Sequence, residues 1–95
     1  MTGEREAKRV VTMTVAARRC RLPPSTVRRY VRRGLVEKPL VEEDLARLRR
    51  IRRLTRLGIN LAGVEVILRM RRRIMELEDE RVRLEAQLES SESRR

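Results

Sequence analysis

From Ile67 onward the chain sets Ile67, Met70, Ile74, Leu77, Leu84 and Leu88 at alternating spacings of three and four residues, with Arg81 in the one core slot that is not apolar. A spacing that averages 3.5 residues keeps one stripe of a helix turned toward a partner helix, so the pattern reads as a coiled-coil seam of about three heptads. No proline or glycine interrupts the chain after Gly63. The segment is therefore expected to form one long helix, reaching roughly Leu88 before "SSESRR" frays. Leu61, Val64 and Leu68 are expected to fold back on the domain's own core. Ile74 to Leu88 extend too far for that, and nothing else in the sequence remains to cover them. The seam thus calls for a second copy of the chain.

Charge sets the orientation of that pairing. Residues 61–75 carry four arginines against Glu65, a net +3, whereas residues 76–92 carry seven acids against Arg81 and Arg83, a net −5. A parallel pair would set like charge beside like, while an antiparallel pair matches the basic half of each helix to the acidic half of the other. A seam of about 22 residues is roughly 33 Å long at 1.5 Å per residue. An antiparallel homodimer of that length is expected to hold equivalent elements of its two copies roughly 33 Å apart.

Composition limits the rest. The 95 residues include no Trp, no Phe and one Tyr, so the core of a single small domain must be aliphatic. With no histidine and one cysteine, Cys20, the chain offers neither an internal disulfide nor a zinc site, and no metal or cofactor is expected. There is no glycine-rich phosphate loop and no nucleophile–base pair, and "EEDL" reads as a helix start, so no catalytic residues are assigned and the chain is not expected to be an enzyme. It has no apolar run long enough for a membrane span or a leader, which points to a cytoplasmic protein. The net charge of +11 is unevenly placed: residues 1–58 hold 17 Lys/Arg and 6 Asp/Glu, and residues 59–95 hold 8 of each. That polarity points to a polyanion partner for the first part and a different task for the remainder.

Within the first part, residues 1–11 lack apolar periodicity and read as a disordered basic tail. "TMTVAARRC" reads as a short helix with Thr14 as its N-cap. "RLPP" breaks it, and Pro24 suits the first turn of the next helix. That helix runs to about Arg33, and Gly34 is the expected left-handed cap. At about 100° per residue, Ser25, Arg28, Arg29 and Arg32 share one face and Val27, Tyr30 and Val31 the opposite one. Two short helices joined by a tight turn, the second cationic in front and apolar behind, form a helix-turn-helix pattern. A third helix follows, with Leu45, Leu48, Ile51 and Leu54 as its buried stripe, acids at its start, arginines near its end and Gly58 as terminator. Asn60 is expected to cap the fourth helix, with Ile59 and Val64 as a hydrophobic staple. The fold class is all-α: a helix-turn-helix domain over 12–60, a dimerisation helix over 61–89 and a disordered tail over 90–95.

The order of "TVAARRCRLPPSTVRRYVRRGLV", "EEDLARLRRIRRLTRLGINLAGVEVIL" and the coil, over roughly residues 12–88, resembles the MerR family of bacterial regulators. The resemblance implies a winged helix-turn-helix domain, a dimer held by an antiparallel coiled coil, and promoter DNA as ligand. "LGINLAGV" is particularly similar to the heat-shock repressor and chaperone-modulator subgroup. By position, the resemblance makes 24–33 the recognition helix and Arg18, Arg28 and Tyr30 contacts to the DNA backbone. The family's usual wing, a strand pair of Gly-Tyr-Arg-x-Tyr type, is replaced here by "EKPLV", which implies a reduced wing. The ligand domain or cysteine metal loop that sensing members carry after the coil has no counterpart in the sequence.

Arginine suits both phosphate binding and bidentate reading of guanine in the major groove. Backbone contacts outnumber base contacts in such interfaces. Ser25, Thr26 and Arg29, near the start of the recognition helix, are the candidates for base edges; Arg18, Arg28, Arg32 and Arg33 are the candidates for phosphates. Arg47, Arg49, Arg50, Arg52 and Arg53 fit equally a second phosphate surface or the solvated face of the third helix. Cys20 reads as a small packed residue at the turn. Two classes of function result: a sequence-specific regulator on double-stranded promoter DNA, nucleoid-associated and touching RNA polymerase, or a modulator of a chaperone or co-chaperone. The cationic recognition face favours the first.

Overall fold

The computed structural model describes residues 8–94, and the chain divides after Leu61 into two compact units. The first holds α1 (Met13–Cys20), α2 (Pro24–Arg32) and α3 (Glu42–Arg56); α4 (Leu61–Ser93) forms the second from its second residue onward. The all-α expectation holds, with no β-strand among the described residues.

The ends of α1 to α3 follow from local chemistry. At the start of α1 the Thr12 hydroxyl accepts from the Val15 amide at 3.2 Å. The expected cap, Thr14, lies inside the helix instead, two residues further on. Helix α2 begins on the Pro23-Pro24 pair, with no side-chain hydrogen bond at its cap. At the start of α3 the buried Asp44 carboxylate reaches back to accept from the Val41 amide at 2.8 Å. All three helices close the same way. Leu22 N–H donates to Ala17 O (2.9 Å) and Arg21 N–H to Arg18 O (3.2 Å); Leu35 N–H donates to Tyr30 O (2.9 Å) and Gly34 N–H to Val31 O (3.0 Å); Ile59 N–H donates to Leu54 O (3.1 Å) and Gly58 N–H to Thr55 O (3.0 Å). Each is the paired hydrogen bond of a left-handed C-terminal cap, with φ of 58° at Arg21, 78° at Gly34 and 91° at Gly58.

The tail expectation is corrected at its inner end. Val10 bridges Val41 in antiparallel fashion, Val11 N–H donates to Leu40 O at 2.8 Å and Glu42 N–H to Arg9 O at 3.1 Å. Val11 is buried as a result. Residues before Lys8 lie outside the described part, so the rest of that expectation does too. At the other terminus α4 continues to Ser93, past residue 90 where fraying was expected; no glycine or proline stands in the way.

The core of the first unit is aliphatic apart from Tyr30. Helix α1 packs on both α2 and α3, and its buried residues are the small Ala16, Ala17 and Cys20. Against them stand Val27 and Tyr30 of α2, and Leu45, Leu48 and Ile51 of α3. The Cys20 thiol donates to the Leu45 carbonyl at 3.6 Å. Outside the core, Arg19 and Glu42 join α1 to α3 at 2.8 Å, and Lys8 lies 3.8 Å from Glu43. Along α4 Val64 and Leu68 are buried, Leu61 and Ile67 half-buried, and every described residue after Leu68 exposed.

Candidate nucleic-acid interface

The proline pair starts α2 at Pro24, which sets the rotation of everything after it. Val27 and Tyr30 then fall on the buried side, and Ser25, Arg28, Arg29 and Arg32 on the exposed side, with Thr26 and Val31 half-buried between. The helix contains no acidic residue, so nothing on it neutralises the arginine face. The Arg29 guanidinium lies 6.0 Å from the Tyr30 ring centroid, at the outer limit of a cation–π contact. Arg33 follows, exposed, at the cap.

Tyr30 requires a correction. The resemblance made it a contact to the DNA backbone, yet only 3 % of it is exposed. Helical periodicity already placed it with Val27, and the ring serves as the largest side chain beneath the cationic face. It belongs to the core.

On α1, Arg18 and Arg19 are adjacent and exposed but electrostatically different. Arg19 donates to Glu42 at 2.8 Å; this hydrogen bond lowers the Glu42 carboxyl below the usual carboxylate range and raises the Arg19 guanidinium. Arg18 has no such partner among the described residues. The arginines of α3 divide as well: Arg49, Arg53 and Arg56 are exposed, while Arg47, Arg50 and Arg52 are half-buried. Burial pushes the Cys20 thiol up, more strongly than the neighbouring Arg49, Arg19 and Arg52 pull it down, and the side chain is packed in the core. No cluster of potential metal ligands occurs among the described residues, and no described helix is long and apolar enough to cross a membrane.

Arg21 escaped the sequence reading. It is exposed and occupies the left-handed position of the turn between α1 and α2. No residue pattern announces a left-handed arginine, so only the backbone could show it.

The seam of α4 is uncovered. Met70, Ile74, Leu77, Leu84 and Leu88 are each about half exposed or more, and Ile67 is half-buried. Leu77, Arg81, Leu84 and Leu88 line a shallow apolar groove edged by Glu80 and Glu85. Arg81 is held beside the stripe by Glu78 at 3.4 Å and Glu85 at 3.1 Å.

Two short helices joined by the three residues 21–23, the second presenting bare arginines over an aliphatic core, define a helix-turn-helix DNA-binding domain. The family described as MerR HTH family regulatory protein matches residues 11–71, well over half of the chain, and the chain belongs to that family. No curated protein and no solved structure matches it significantly. Family membership makes the protein a DNA-binding transcription regulator. The match includes α1 to α3 and the start of α4, and most of the exposed seam lies beyond it.

Proposed function

We propose that the protein acts as a homodimer on a palindromic promoter site, reading sequence through α2. Arg18, Arg28, Arg32 and Arg33 contact phosphates, and Ser25, Thr26 and Arg29 reach base edges in the major groove. The observation that carries this reading is the α2 face itself, four exposed polar side chains on one side with three arginines and no acid among them. A surface kept only for solubility would intersperse both signs. The seam from Ile67 through Met70, Ile74, Leu77, Arg81, Leu84 and Leu88 pairs antiparallel with its copy, because its basic and acidic halves are complementary only in that orientation. Similarity of "LGINLAGV" to the heat-shock repressor and chaperone-modulator subgroup directs the proposal to promoters of stress or chaperone genes, in the bacterial cytoplasm, with RNA polymerase as the further contact.

Selection of bound duplexes from a random pool tests this reading. A palindromic consensus is expected, bound with an affinity that falls steeply with salt as phosphate contacts release counterions. Absence of binding even at low salt would transfer the function to chaperone contacts.

A further inference from the structure

Helices α1, α2 and α3 end in the same pair of backbone hydrogen bonds, and each cap requires one residue in the left-handed region. Two of the three positions carry glycine, the residue that enters this region without steric cost; the third carries Arg21, at φ 58°. The cap gains nothing from that side chain, since both of its hydrogen bonds are made by backbone groups of Arg21, Leu22, Ala17 and Arg18. The side chain is exposed, and among the described residues no carboxylate pairs with it. Folding therefore does not explain why an arginine stands there. An unfavourable backbone position that the fold does not explain is the kind of feature that points to a function.

Its place in the chain suggests which one. Arg21 lies three residues before Pro24, in the turn that leads into the recognition helix. When the N-terminal residues of such a helix enter the major groove, the turn before them arrives at the rim of the groove, where the phosphates run. Arg18, one helical turn earlier, is also without a carboxylate partner among the described residues, whereas Arg19 between them is held by Glu42. Arg18 and Arg21 thus leave two unneutralised cations flanking the entry to α2.

We propose that Arg21 is a phosphate-contacting residue of the DNA interface, its guanidinium binding the DNA backbone at the mouth of the major groove. The inference rests on the DNA-binding reading of α2 and adds a residue to it. A phosphate contact fixes register and contributes to affinity without reading sequence, so its loss should be felt equally by every duplex.

Arg21→Gly provides the test, because glycine suits the left-handed cap and leaves the fold intact. The variant should melt within a few degrees of the parent. It should bind the selected duplex and a scrambled one roughly fivefold more weakly at low salt, with the slope of log affinity against log salt shallower by about one. Arg21→Lys should keep the parent's slope. Parent-like affinity and slope in Arg21→Gly would overturn the assignment of Arg21 alone. A parent that binds no duplex would overturn the DNA reading on which it rests.

Discussion

Arg28 and Arg29 are neighbours in α2, one helical step apart, and both exposed. Their expected effects differ because phosphate contacts are blind to sequence and base contacts are not. Arg28→Ala and Arg32→Ala should weaken binding to all duplexes by a similar factor. Arg29→Ala should chiefly flatten the preference for the selected site, at a cost of about 1–3 kcal/mol of discrimination. Competition binding against single-base variants separates the two behaviours; equal loss on every sequence for Arg29→Ala would move it to the phosphate group. Glu42 carries a different kind of prediction. Arg19 holds its carboxyl below the usual carboxylate range, so the pair's contribution to stability is present above the unfolded carboxylate pKa. It is lost as pH falls through the depressed folded value. The melting temperatures of the parent and Glu42→Gln should therefore differ most near neutrality and converge in acid. A gap that ignores pH would show that the pair is not what the substitution removed. At this scale, sequence reasoning placed the arginines well because period 3.6 alone decides their face. It misassigned Tyr30 by carrying over a role from a resemblance against the periodicity, and it overlooked Arg21, since backbone handedness leaves no pattern of side chains.

The elements were legible wherever a punctuating residue acts through local sterics. Pro24 opens α2, and Gly34 and Gly58 occupy left-handed positions, as their places after the last apolar residue of each helix suggested. The start of α1 was less legible, because Thr12 and Thr14 can both accept from an amide and only the paths of residues 9–11 and 40–42 decide which stands at the helix end. That pairing itself was invisible: three residues meeting three across the chain carry no periodic signal. Two substitutions separate backbone from packing effects within these elements. Gly34→Ala meets no atom within 4 Å, so its cost is the left-handed backbone alone, about 1 kcal/mol. Leu48→Ala removes a fully buried side chain from a small aliphatic core and should cost roughly 2–5 kcal/mol. Chemical denaturation should show the larger shift for Leu48→Ala; similar midpoints would mean that α3 is not the keystone of the first unit.

For the whole molecule, the decisive feature is the contrast along α4 between buried Val64 and Leu68 and the exposed stripe from Met70 to Leu88. In the proposed homodimer, burying such a stripe would contribute about 25 cal/mol per Å² of apolar surface, far more than the charges can, and would favour association in either orientation. Charge would then choose between orientations of that dimer, each exposed pair adding only a few tenths of a kcal/mol but all favouring the antiparallel one. Arg81 fits this division of labour. Glu78 and Glu85 of its own helix compensate its guanidinium, so its aliphatic stem can lie in the stripe while the charged end stays at the edge. In an antiparallel homodimer the midpoint of the seam lies near Leu77, and Leu88 of one helix lies far from Leu88 of the other. With Cys20 buried and its thiol pushed up, engineered cysteines can be read without interference from it. Leu77→Cys should cross-link between chains under mild oxidation, and Leu88→Cys should remain reduced under the same conditions. High salt should slow the Leu77→Cys cross-link by screening the matched halves. Rapid disulfide formation at position 88 instead would mean that the helices run parallel, with like charges side by side, and the charge argument for the dimer would be wrong.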